Sequence, residues 1–239
     1  MVCRLCRLCG LAAALVLFVA AGGAAAEPVD IELVLSVDSS GSIDNGEFAL
    51  QREGYARALT HPEVVAAIRR GPYRAIALTF IEWSGPDIRT QVVGWTRISG
   101  GADAEAVAAT LRSAPRTIFG GGTSLAGAIL AGAASFEANG FEGVRRVIDI
   151  SGDGPNNRGS SVTAARDAAT GRGITINGLP ILEDDEGLAL YYRDFVIGGP
   201  GAFVQPAQGF ADFERAVRRK LLQELNLSEG TGANAAPGG

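Results

Sequence analysis

The sequence predicts an α/β fold: a doubly wound, mostly parallel sheet in the order 3-2-1-4-5-6 with one antiparallel edge strand. Three observations carry this. Short β-branched and aliphatic runs at residues 31–37, 74–83, 145–151 and 174–179 alternate with stretches of helical spacing, and such alternation builds a parallel sheet covered on both faces. Only the turn Ser84-Gly85-Pro86-Asp87 separates the second run from a third at residues 88–96. A link that short forces an antiparallel pair, because a parallel one needs a long crossover. Finally, the 239 residues are 47% hydrophobic and 20% charged, which suits one domain with a sizeable core.

The elements follow in order. Residues 31–37 form the first strand. Asp44 then caps a helix, with Glu47 completing a capping box, and Phe48, Tyr55 and Leu59 recur at helical spacing. His61-Pro62 restarts a short helix through Val64, Val65 and Ile68; His61, the only histidine, is expected at the surface. After the β-hairpin, in which Trp83 and Trp95 are expected to face each other, a helix spans residues 103–111 and ends near Pro115. The turn Gly120-Gly121-Gly122-Thr123-Ser124 opens an Ala-rich helix reaching about residue 139. The fourth strand, residues 145–151, runs into Gly152-Asp153-Gly154-Pro155-Asn156-Asn157, and carries Asp149, a carboxylate expected to need a hydrogen bond or an arginine. A helix at 161–170, a fifth strand at 174–179 and the acidic loop Glu183-Asp184-Asp185-Glu186 come next. A short helix at 188–195, a weak sixth strand at 202–204 and an amphipathic helix over 210–225 complete the domain.

The ends are set apart by composition. Residues 1–26 hold Arg4 and Arg7, an unbroken apolar stretch at 11–21 and Ala24-Ala25-Ala26, the pattern of a cleaved signal peptide. The domain is then residues 27–226, and 227–239 form a Gly/Ala/Asn tail with nothing to bury. All three cysteines, Cys3, Cys6 and Cys9, fall in the leader, so the rest of the chain has no disulfide and no thiolate chemistry. Two of the 21 basic residues fall there too, which leaves 19 against 26 acidic ones, a formal charge of −7. That balance argues against nucleic acid or an anionic membrane as partner, and no stable membrane insertion is expected after cleavage. Lys220 is the only lysine, and with the abundant Ala and Gly this points to a GC-rich bacterial source, hence a periplasmic or extracellular location.

Parallel sheets bind ligands beyond the carboxyl ends of their strands, where strand order reverses. In the order 3-2-1-4-5-6 the neighbours at that switch are the first and fourth strands. The loop after the first holds Asp38, Ser40 and Ser42, the loop after the fourth holds Asp153, and the glycine-rich turn can bring Thr123 close. Two carboxylates and three hydroxyls are hard oxygen donors that suit Mg2+, with Mn2+ or Ca2+ as alternatives. The competing reading is that these are ordinary turn and cap residues.

Asp38-x-Ser40-x-Ser42, the later Gly-Gly-Thr123-Ser and the Asp153-Gly154 pair resemble the metal-ion-dependent adhesion site (MIDAS) of von Willebrand factor A domains, over roughly residues 29–225. One departure is Ser151-Gly152-Asp153-Gly154, where many members have Thr-Asp-Gly. The resemblance implies a three-layer Rossmann-like fold and a complete MIDAS. Ser40, Ser42 and Thr123 would be direct ligands in turn, with Asp38 and Asp153 acting directly or through waters. It also implies a protein partner that offers an Asp or Glu to the metal. Two other functions compete: a Mg2+-dependent phosphoester hydrolase, which lacks a general base beside the ligands, and a structural subunit without metal function. The loop Glu183 to Glu186 should share the rim of the site, and Asn156 and Asn157 should either shape ligand choice or form a turn.

Overall fold

The structure, a computed structural model, describes residues 25–232. Residues 1–24 of the expected leader and 233–239 of the expected tail lie outside it. Five strands form one sheet in the order β3-β2-β1-β4-β5: β1 (Glu27–Asp38), β2 (Ile76–Trp83), β3 (Arg89–Ile98), β4 (Phe141–Gly152) and β5 (Ile174–Pro180). β1 pairs in parallel with β2 and β4, β4 with β5, and β3 is antiparallel to β2. This is the expected order with its antiparallel edge.

β1 is central and covered on both sides. Ile31, Leu33, Leu35 and Val37 belong to one core layer, and Val34 to the other, as the period of a strand requires. The first layer packs under α1 (Asn45–Thr60), α2 (Pro62–Ile68), α3 (Gly101–Ser113) and α7 (Phe213–Gly232). Tyr55 of α1 sits at its centre, edge-on to Phe80 at 5.2 Å and to Phe213 at 5.3 Å. The second layer packs under α4 (Leu125–Ser135), α5 (Val162–Thr170) and α6 (Leu188–Tyr191), the last continued by one π-helical turn, Tyr192–Val196. No helix among the described residues is long and apolar enough to cross a membrane.

The sixth strand is replaced by an irregular segment. Val204 and Ala207 make isolated parallel bridges to Gly178 and Ile181 along the outer edge of β5. Pro200, Gly201 and Pro206 bracket this segment and keep a regular ladder from forming, since proline has no N–H to give. α7 runs on past Leu225, where the apolar pattern stops, so the expected tail begins as helix. A helix already nucleated by packing propagates at little cost.

Trp83 and Trp95 do not face each other. Trp83 pairs with Arg89 beside the turn, whereas Trp95 lies toward the far end of β3, where it packs on Phe136 at 5.5 Å and donates to the Ser135 carbonyl. Asp149 has the expected hydrogen bond, and its donor is a lysine: the buried Lys220 of α7 donates to it and, at 3.3 Å, to Glu224. His61 is half-buried and caps α2 through its Nδ1.

Candidate functional site

β1 ends in a loop whose shape is set by its own hydrogen bonds. The Ser39 N–H donates to the Trp83 carbonyl, carrying the sheet pairing one residue past the strand. Asp38 Oδ1 accepts the Ser40 N–H at 2.8 Å, a local turn that aspartate favours. Ile43 is buried and pins the far side of the loop, and α1 starts at once behind the expected capping box. Asp44 accepts from the Gly46 and Glu47 N–H groups, and Glu47 accepts from the Asp44 N–H. Ser40 and Ser42 are thereby turned toward the end of β4. Their hydroxyls lie 3.1 Å apart, and Ser42 donates onward to Asp153 Oδ1 at 3.0 Å.

Thr123 arrives on the third segment. Gly121 and Gly122 adopt φ of +109° and +76°, a region that side chains with a Cβ avoid. A Cβ on Gly121 would also strike Ser84 Oγ at 2.8 Å, and that hydroxyl donates to the Gly120 carbonyl. Gly120 Cα in turn lies 3.6 Å from where a Cβ of Gly41 would stand, so the turn closes on the β1 loop. Asn157 fixes Thr123 from the other side. Its side chain accepts the Thr123 N–H and its own N–H donates to the Thr123 carbonyl, both at 2.9 Å. Asn156 accepts from Ala126 in the first turn of α4, so both asparagines join the turn to the β4 loop. Ser40, Ser42 and Asp153 are thus linked by hydrogen bonds and Asp38 through the Ser40 amide; among the described residues the Thr123 hydroxyl bonds to none of the other four.

Among the described residues no arginine or lysine pairs with either carboxylate of this cluster. Asp38 is fully buried, and burial, with the Asp153 carboxylate adding to it, pushes its pKa up to about 8. Asp153 is also raised, chiefly by burial, and Asp184 of the acidic loop adds to the effect, which sets that loop within electrostatic reach. Glu183 and Asp185 accept backbone N–H groups, from Phe210 at the start of the last helical segment and from Gly187 within the loop. Asp38 Oδ2 is buried with no hydrogen-bond partner among the described residues. A carboxylate oxygen so placed fits a cation, and the surrounding donors are all hard oxygens. No three His, Cys, Asp or Glu side chains gather among the described residues, so a metal here would depend on hydroxyls and water for most of its shell.

Two contributors are not apparent from sequence patterns. Arg116 clamps the β1 loop, donating to the carbonyls of Ile43 at 2.8 Å and Ser40 at 3.4 Å and also to Ile118 and Asn45. Tyr192 is fully buried, its hydroxyl also lacks a partner, and burial with the nearby Asp38 and Asp153 charges raises its pKa well above the usual phenol range. The only hint of Arg116 in the sequence is an arginine in a short link; Tyr192 gives none.

The family described as "Protein of unknown function (DUF1194)" matches residues 28–229. The chain belongs to this family. No curated protein matches it. Among solved structures, this DUF1194 chain is similar to the pilus adhesin SpaC from Lactobacillus rhamnosus GG, with a TM-score of 0.61 at 18% identity over 84% of this chain and 31% of the adhesin. It is similar to proximal thread matrix protein 1 from the mussel byssus with a zinc-occupied MIDAS motif, with a TM-score of 0.57 at 16% identity over 84% of this chain and 48% of that one. It is also similar to von Willebrand factor type A from Catenulispora acidiphila, with a TM-score of 0.54 at 16% identity over 83% and 43%. The chain spans less than half the length of each of these three. At such identities the likeness establishes the fold, which is of the von Willebrand factor A type.

Proposed function

We propose that this DUF1194 domain is a metal-dependent protein-binding module. Asp38, Ser40, Ser42, Thr123 and Asp153 would hold one divalent cation, Mg2+ in the first instance with Mn2+ or Ca2+ as alternatives. The observation that carries the reading is the buried, unpartnered Oδ2 of Asp38 beside a second carboxylate and a pair of serine hydroxyls. A bound cation supplies the missing charge and a coordination position that an Asp or Glu of a protein partner can take. The zinc-occupied MIDAS of the mussel protein supports the metal on this fold, and the adhesin supports a role in protein contact.

The residues of the site favour capture over catalysis. Its carboxylates are the ligands themselves, and the only histidine caps α2. Residues 1–26 serve as a cleaved signal peptide in this reading, which places the domain in the periplasm or outside the cell. Calorimetric titration of EDTA-stripped protein with Mg2+ or Mn2+, followed by capture of partners from periplasmic extract with and without EDTA, tests it. A folded protein with no heat of binding defeats the metal reading. Metal-dependent turnover of a phosphoester panel would replace the binding module by a hydrolase.

A further inference from the structure

Tyr192 occupies a slot that two glycines on neighbouring strands leave open. Gly178 of β5 pairs with Ile150, two residues before Gly152 of β4, so both glycines lie on one face of the sheet. A Cβ on Gly178 would stand 2.5 Å from Tyr192 Cδ1, and a Cβ on Gly152 would stand 3.0 Å from the Tyr192 hydroxyl. That same point at Gly152 is 3.0 Å from Asp38 Oδ2. The tyrosine therefore lies across that face, with its hydroxyl end and the Asp38 carboxylate both bordering the space above Gly152. It begins the π-helical turn that follows α6, an irregularity found frequently at functional sites.

Both groups that meet there are buried without hydrogen-bond partners: the Tyr192 hydroxyl, a donor that is protonated at neutral pH, and Asp38 Oδ2, an acceptor. Leaving either unsatisfied is costly, and a phenylalanine would fill the ring's slot equally well. Resting on the metal reading above, we propose that Tyr192 is a positioning residue of the site, donating its hydroxyl to the inner oxygen of Asp38, directly or across one buried water. It would thus hold the carboxylate in its metal-binding orientation. Gly152 makes this possible by having no side chain in the space that the two groups share.

The test titrates EDTA-stripped protein with Mn2+ and melts the metal-free protein, for the wild type, Tyr192→Phe, Gly152→Ser and the double variant. Tyr192→Phe should bind Mn2+ roughly tenfold more weakly, the worth of a hydrogen bond to a charged group. Its metal-free melting temperature should change little, because a phenylalanine ring fills the same slot. Gly152→Ser alone should weaken metal binding by crowding Asp38 and the tyrosine hydroxyl. In the Tyr192→Phe background it should cost less, because the tyrosine hydroxyl that it would crowd is gone. Wild-type affinity in Tyr192→Phe overturns the proposal and leaves the metal reading standing. A Tyr192→Phe protein that fails to fold, or whose melting temperature falls in step with affinity, assigns the hydroxyl to the core and also overturns it. A wild type that binds no Mn2+ defeats the metal reading, and this proposal with it.

Discussion

Ser42 on the β1 loop donates its hydroxyl to Asp153 on the β4 loop, 3.0 Å away and 111 positions further along the chain. The parallel register that sets Val37 beside Ser151 brings both loops off the sheet at the same level, so the bond needs no distortion of either strand. A hydroxyl offers Asp153 only a partial charge, and Asp38 behind it has none on its inner oxygen.

The first prediction concerns that deficit. Asp38→Ala should abolish binding of Mg2+ or Mn2+ at millimolar concentration while the domain stays folded. Ligand stabilises only the state that binds it, so the wild type should gain about 2.7 kcal/mol at a hundredfold excess of metal over Kd, read as a rise in Tm. Asp38→Ala should gain nothing. Equal metal-induced shifts in both proteins would refute the assignment.

What could be read beforehand was local or topological. Asp38, Ser40 and Ser42 stand two apart at the end of an apolar run, and the alternation of strands and helices fixes which loops meet. Contacts that depend on helix rotation or strand register were not legible. The partner of Asp149 is Lys220, set by how α7 lies across β4, and no spacing announces it. Trp83 and Trp95 are a different case: Trp83 stands beside the turn against Arg89 and Trp95 near the far end of β3, so no register of this hairpin pairs them. Tyr192 joins the site only because Gly152 and Gly178 leave it room, a relationship between three elements.

Arg116→Ala should impair the site without removing a ligand. The guanidinium holds the Ile43 and Ser40 carbonyls in place and stacks on Phe48 at 4.8 Å and Phe119 at 5.3 Å. Its loss should lower stability by about 1–3 kcal/mol and weaken metal binding several-fold. Arg116→Lys should recover little, because an ammonium cannot reproduce the planar fork. Calorimetry and urea melts on both variants check this; wild-type metal affinity in Arg116→Ala would remove the clamp from the account.

Lys220→Met should be among the most damaging single changes far from the metal loops. Lys220 is buried between Asp149 and Glu224, with Asn177 also donating to Glu224. Removing its charge strands the buried Asp149 carboxylate, at a cost of about 3–5 kcal/mol. Pairing it with Asp149→Leu should recover part of the loss, because the second change removes one stranded charge. A double variant that loses as much as the two single changes together would show that the groups do not interact.

The last prediction is the pH response of the metal-free domain. The unfolded chain releases the Asp38 proton near 3.8, whereas burial and the Asp153 charge hold it to about 8 in the folded protein. Between these values the folded state keeps a proton that the unfolded state has lost, so raising the pH favours unfolding. This contribution is fully present below the unfolded value and disappears as pH rises through about 8. Asp153 is shifted in the same direction and adds to the slope. In EDTA, Tm should therefore fall from about pH 5 to about pH 8. Asp38→Asn carries no such proton and should show a shallower slope over the same interval. Metal needs the ionised carboxylate, so the gain in Tm on adding Mn2+ should grow as pH rises across that window. Melts of the two proteins with EDTA and with Mn2+ decide the matter, and a wild type whose metal-free slope matches that of Asp38→Asn would mean that Asp38 does not titrate in this range.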